Sequence, residues 1–131
     1  MRPSPDDAVR ITVPARAEFL HVVRSVVASV AARNDLTIDA IEDLRIAVDE
    51  ACAQLLLVRG SALTVEIAAR DGGVETVCIT DARVAVWPPE DIQNSLAVQV
   101  LQGLSDAVSW EQADALPAIR VTKRGASRNE R

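Results

Sequence analysis

The sequence predicts an α+β sandwich in which helices cover one face of a mainly antiparallel mixed sheet, and three observations carry that expectation. Short stretches such as Val9-Arg10-Ile11-Thr12-Val13 and Leu63-Thr64-Val65-Glu66-Ile67 alternate apolar with polar residues, the period of half-buried strands. Longer stretches repeat their apolar residues at three- and four-residue steps, the period of a helix with one apolar face. The two kinds follow one another as strand, helix, helix, strand, strand, loop, helix, strand, strand, an order that sets the helices against one side of the sheet.

The first strand, Val9 to Val13, is stopped by Pro14, which suits a short edge strand. From Ala15 to Ala32 the apolar set Phe19, Val22, Val23, Val26, Val27 and Val30 predicts a helix, with His21, Arg24 and Ser25 on its polar side. Its valines favour strands weakly, but spacing outranks propensity. Asn34-Asp35-Leu36-Thr37 breaks the pattern, and Thr37 followed by Asp39 suits a helix start. The helix that follows carries a core stripe of Ile41, Leu44, Val48, Ala51 and Leu55, while Ile46, Leu56 and Leu57 spread apolar surface around it. A helix of that kind is expected to be covered on more than one side. The strand from Leu63 turns at Asp71-Gly72-Gly73 into Val77 and Ile79, a β-hairpin. Trp87-Pro88-Pro89 keeps the segment from Asp81 to Asn94 irregular, and a helix resumes from Leu96 to Leu104. Two strands close the fold, about Ala107 to Glu111 and Ala118 to Lys123.

At 131 residues the chain suits one domain, expected over residues 9–123 between a flexible segment 1–8 and a disordered charged tail 124–131. A core is available because 49% of residues are hydrophobic, and it must be aliphatic because only Phe19, Trp87 and Trp110 are aromatic. That scarcity argues against stacking on bases, and a net charge of −5 opposes long-range attraction to nucleic acid or anionic lipid. A protein partner fits better. Cys52 and Cys78, within apolar runs and without a His cluster, read as buried free thiols rather than metal ligands. With neither a signal peptide nor a membrane-spanning run, the expected location is cytoplasmic.

Three positions suggest chemistry. Glu50 and Gln54 stand four apart, one helical turn above each other on the flank of the core stripe, where both can face one pocket. Asp81 ends the second hairpin strand, where a carboxylate can accept hydrogen bonds from a ligand amine. The commoner reading of each is bland: a solvated helix edge and a turn former.

Together with the element order, Glu50-Ala51-Cys52-Ala53-Gln54 and Asp81 resemble the GHKL ATPase superfamily, and within it the anti-sigma factors of the RsbW and SpoIIAB type, over roughly Val9 to Lys123. The family's helix signature is Glu-Ala-x-x-Asn, so the resemblance puts Glu50 at the general base of the kinase members and Gln54 at their magnesium ligand. It puts Asp81 at the residue that reads adenine and opens a glycine box, with Arg83 and Ala85 at the glycine positions. A second glycine box falls on Ser95-Leu96-Ala97, with Ser95 and Ala97 in place of glycine, and the later Ser105-Asp106-Ala107-Val108 is family-like. The resemblance thus implies the Bergerat-type sandwich of this superfamily, a sigma factor and an anti-anti-sigma (STAS-domain) protein as partners, ATP and magnesium as cofactors, and homodimerisation.

The departures weigh against the cofactors. Glycines in such boxes permit positive φ and close backbone approach, which Arg83 cannot supply cheaply. Gln54 carries its amide oxygen one bond further out, roughly 1.5 Å, where magnesium wants ligands at about 2.0–2.1 Å. The segment between the boxes is shorter than the family's ATP lid, and Trp87-Pro88-Pro89 makes it stiff. The leading expectation is therefore an anti-sigma factor with an impaired ATP site. Its rival is an active serine kinase of the anti-anti-sigma partner, with Glu50 as base, and a third reading is an unrelated α+β interaction domain.

Overall fold

The computed structural model describes residues 7–70 and 72–125, with nothing described of the Gln93 side chain. Its elements are β1 (Val9–Pro14), α1 (Leu20–Arg33), α2 (Ile38–Leu56), β2 (Ala62–Arg70), β3 (Gly73–Thr80), α3 (Leu96–Leu104), β4 (Ala107–Ala113) and β5 (Leu116–Arg124), with single 3₁₀ turns at Ala17–Phe19 and Ile92–Asn94. The strands form one sheet in the order β1-β2-β3-β5-β4. All four pairings are antiparallel, so the sheet is not mixed, and the helices pack on it as an α+β sandwich. No helix among the described residues is long and apolar enough to cross a membrane.

α1 begins later than its pattern suggests, because Arg16 is extended and Ala17–Phe19 form a 3₁₀ turn before the helix opens at Leu20. Its buried stripe is Leu20, Val23, Val27 and Ala31, which leaves Val22, Val26 and Val30 half-buried beside it. Phe19 is half-buried and His21 exposed. α2 starts at Thr37, whose hydroxyl accepts from Ala40 N at 3.1 Å, and Asp39 lies in the first turn against the positive end of the dipole. α1, α3 and the sheet strands β3 and β5 all pack against α2. It buries Ala40, Leu44, Ala47, Val48, Ala51, Cys52 and Leu55. Ile46 and Leu57 turn outward to solvent, so the apolar surface spread around this helix is not all covered.

Beneath the helices, Leu63, Val65 and Ile67 of β2, Val74, Thr76 and Cys78 of β3, and Ile119 and Val121 of β5 close the core, and both cysteines are free and buried. Because side chains alternate along a strand, the opposite face carries Glu75, Arg120 and Glu111 on three adjacent strands. Arg120 Nη1 is 2.6 Å from Glu75 and its Nε 2.8 Å from Glu111. The Glu111 carboxylate, hydrogen-bonded to Arg120, raises the guanidinium pKa above its ordinary value. Arg70 joins through Glu75 at 3.2 Å.

The two hairpins close differently. β2 and β3 pair down to Arg70 opposite Gly73, with Gly72 at φ 78°; Asp71 lies outside the described residues. β4 and β5 pair down to Ala113 opposite Leu116 and are therefore longer than expected, joined by Asp114 and Ala115, both at positive φ (53° and 70°). β5 takes in Arg124, and Gly125 N donates to the carbonyl of Gly72 at 2.9 Å, while the rest of the expected tail, 126–131, and residues 1–6 lie outside the described residues.

Candidate functional site

α2 carries Asp43, Glu50 and Gln54 on one flank, at the border between its core face and solvent. Seven residues are two turns and four are one, so the three align along the axis. Gln54 Nε2 donates to Glu50 Oε2 at 3.0 Å, so the pair is joined side chain to side chain and half-buried. Two turns back, Asp43 accepts from Lys123 Nζ of β5 at 3.2 Å, and the same ammonium donates to the carbonyl of Leu104, the last residue of α3, at 3.2 Å. A cation at the carbonyl end of a helix meets its negative pole, so Lys123 ties α2, α3 and β5 together.

Asp81 follows β3 directly, as its sequence position suggests, but its carboxylate is engaged by its own fold. Oδ1 accepts from Ser61 N at 2.8 Å and Ala62 N at 3.1 Å, and Oδ2 accepts from the Ser61 hydroxyl at 2.6 Å. The Ser61 hydroxyl, then the Ala62 amide, hold the carboxyl below its ordinary pKa. Gly60 makes the approach feasible: a Cβ there would fall 2.4 Å from Asp81 Oδ1 and from Thr80 Oγ1. Asp81 thus staples the start of β2 to the end of β3.

A folded-state pKa below the unfolded value of about 3.9 means that this carboxylate adds stability above that pH and loses it as pH falls through the folded value. Asp81→Asn is therefore expected to lower the melting temperature at neutral pH and to flatten its decline below about pH 4. The loss should be about 1 kcal/mol or less, since the group is exposed and screened. Parallel acid titrations of the two melting temperatures would contradict this role.

The first glycine-box positions, Arg83 and Ala85, are exposed, and neither is among the described non-glycine residues with positive φ, which are Asp35, Arg59, Asp114 and Ala115. The loop here does not take the backbone shape that glycine would allow. Beyond them the loop is pinned: Trp87 Nε1 donates to the carbonyl of Ala118 on β5 at 3.2 Å, and its ring tilts against Trp110 of β4 with centroids 5.6 Å apart. The Trp87–Pro88 peptide is cis. At the second box α3 begins at Leu96, as its pattern suggests, and Ser95 is its N-cap, accepting from Val98 N at 3.3 Å and donating to the carbonyl of Ile92 at 2.7 Å. Ala97 is buried in the first turn of the helix.

The structure therefore joins Glu50 to Gln54, and hydrogen-bonds Asp81 to Ser61 and Ala62. Among the described residues no group of three His, Cys, Asp or Glu side chains is arranged to hold a metal ion. Gln54 stands at the position in question with its amide nitrogen committed to Glu50, an arrangement that does not by itself form a magnesium site. Ser61, Lys123 and Trp110 escape sequence reading, since their partners lie 20, 80 and 23 positions away.

The profile of the histidine kinase-like ATPase domain matches residues 13–123. The chain is 45% identical over 56 residues to the serine-protein kinase RsbW of Halalkalibacterium halodurans, covering 43% of this chain and 35% of that protein. It is 45% identical over 49 residues to the anti-sigma-F factor RsbW of Mycobacterium tuberculosis, covering 37% and 29%. To the serine-protein kinase RsbW of Bacillus subtilis it is 46% identical over 46 residues, covering 35% and 29%. These matches span about a third of the relatives' length. The crystal structure of the RsbU and RsbW domains of a Mycobacterium tuberculosis protein superposes with TM-score 0.69 at 16% identity, over 92% of this chain and 33% of that one, a likeness of fold.

Proposed function

Because the chain belongs to the histidine kinase-like ATPase domain family and is of the RsbW type, we propose that it is an anti-sigma factor with an impaired nucleotide site. It holds an alternative sigma factor away from the RNA polymerase core enzyme and is countered by an anti-anti-sigma STAS-domain partner. The name of one relative, anti-sigma-F factor, supports the sigma-binding role.

The observation that carries the impaired site is the state of Asp81. Ser61 and Ala62 take both positions on Oδ1 and one on Oδ2, so an adenine amine is left at most one acceptor position on this carboxylate. The backbone at Arg83 and Ala85, which lacks positive φ, and the pinned Trp87 loop act in the same direction: the first withholds close backbone approach, and the second opposes closure over a bound nucleotide.

The kinase reading has its own support in the retained Glu50 and in relatives named serine-protein kinase. One variant separates the two. Glu50→Ala is expected to keep sigma-factor affinity within about twofold, and neither wild type nor variant is expected to transfer phosphate from ATP to the partner serine. Wild-type phosphorylation that disappears in the variant would replace the binder with the kinase, in which Glu50 takes the serine proton as general base. Loss of sigma binding in a folded variant would instead place this flank of α2 at the partner surface.

A further inference from the structure

Cys52 of α2 and Cys78 of β3 are 26 residues apart in the chain and meet in the core. Both are free and fully buried, and the Cys52 thiol donates to Cys78 Sγ at 3.9 Å. The meeting follows from the patterning. Cys78 shares the helix-facing side of β3 with Val74 and Thr76, and Cys52 belongs to the buried face of α2 with Val48 and Leu55. A disulfide needs its sulfurs at about 2.05 Å. An approach of roughly 1.9 Å between the sulfurs therefore separates the open pair from a bond.

We propose that this pair is an oxidation site, closed to an intramolecular disulfide by hydrogen peroxide. The proposal stands on the core geometry and does not depend on the anti-sigma reading. Cys52, the donor of the pair, keeps its proton, which leaves Cys78 as the attacking sulfur. Its attack on peroxide breaks the O–O bond, forms an S–O bond and leaves Cys78 as a sulfenic acid with one water released. The Cys52 sulfur then attacks the Cys78 sulfur, the S–O bond breaks, and a second water leaves as the disulfide forms. Two thiols lose two electrons and two protons, and one peroxide becomes two waters. The hydrogen bond to Cys78 and then burial raise the Cys52 pKa, so the reaction is slow and suits a small oxidant able to enter when the helix layer opens.

The bond would join two segments that matter elsewhere. Cys52 lies between Glu50 and Gln54 on α2, and Cys78 lies three residues before Asp81.

The test treats the full chain with hydrogen peroxide, quenches with catalase, unfolds it in the presence of N-ethylmaleimide and reads the intact mass. A product two hydrogens lighter than the reduced chain is expected, closed to maleimide until a phosphine reductant returns both thiols. Cys52→Ala and Cys78→Ala are each expected to give no such product, their remaining sulfur ending as a thiol or a sulfur acid. Oxidation of Met1, the one methionine, marks a sufficient dose, and its added oxygen is subtracted before the two-hydrogen loss is read. Two thiols still open to alkylation after that dose, or sulfinic acids on both without a disulfide, would overturn the proposal, and neither outcome depends on how well the variants fold.

Discussion

Leu44→Asp is expected to abolish the folded state at 25 °C. Leu44 is fully buried at the middle of α2, the helix against which α1, α3 and two strands pack. Removing its side chain from the core forfeits roughly 2–5 kcal/mol. The carboxylate put in its place would stand among apolar neighbours, with an added cost of several kcal/mol whether it stays charged or takes up a proton. A domain of this size has a total stability of about 5–15 kcal/mol, so the two terms together match or exceed it. Circular dichroism should show lost helix and no cooperative melt. A transition within a few degrees of wild type would mean that the face of α2 read as core is misassigned.

Gly73→Val is expected to be the next most damaging change, at about 3 kcal/mol or more. A Cβ at Gly73 would fall 2.4 Å from the carbonyl oxygen of Lys123 and 2.7 Å from Cα of Arg124, and both obstacles are backbone. A flexible side chain could swing aside, but β5 could yield only by separating from β3 where Gly73 pairs with Arg124. Lys123 lies at the same end, so a displaced strand would also loosen its hold on Asp43 and the end of α3. The expected signature is a melting temperature lowered by ten degrees or so for this domain size, with faster amide exchange along the β3–β5 ladder. A variant as stable as wild type would show that the strand end is compliant.

The α+β sandwich and the order of its elements were legible in the sequence because hydrophobic period is a local property that burial enforces. α2 illustrates the strength of that signal: Leu44, Val48, Ala51 and Leu55 are all buried as their spacing requires. α1 shows its limit. Its valines mark the helix, yet the face turned inward is set by Leu20, Val23, Val27 and Ala31, a small rotation that depends on how α1 rests against its neighbours. The turn at Asp114 and Ala115 carries positive φ without a glycine to announce it, so the last two strands read too short. At the candidate site the four-residue spacing set Glu50 and Gln54 one turn apart, where their side chains meet. The engagement of Asp81 by Ser61 could not be foretold, because it joins residues 20 positions apart that only the β2–β3 pairing brings together. The meeting of the two cysteines is of the same kind: each sits in an apolar run, and nothing local shows that the runs share a layer.

The loop held by Trp87 has a thermodynamic consequence for whatever meets this end of the molecule. Fixing a rotamer-rich side chain at an interface costs about 0.5–1.5 kcal/mol, and ordering a loop adds to that. Here Trp87 is already seated on Trp110 and hydrogen-bonded to Ala118, and Ile92 is already buried, so much of that entropy is lost on folding and not again at encounter. Val86, beside Trp87 in the chain, is more than half exposed next to this preorganised anchor. A ligand shaped to that anchor gains affinity through a slower departure, while one that needs the loop to rearrange must first break the tryptophan contact.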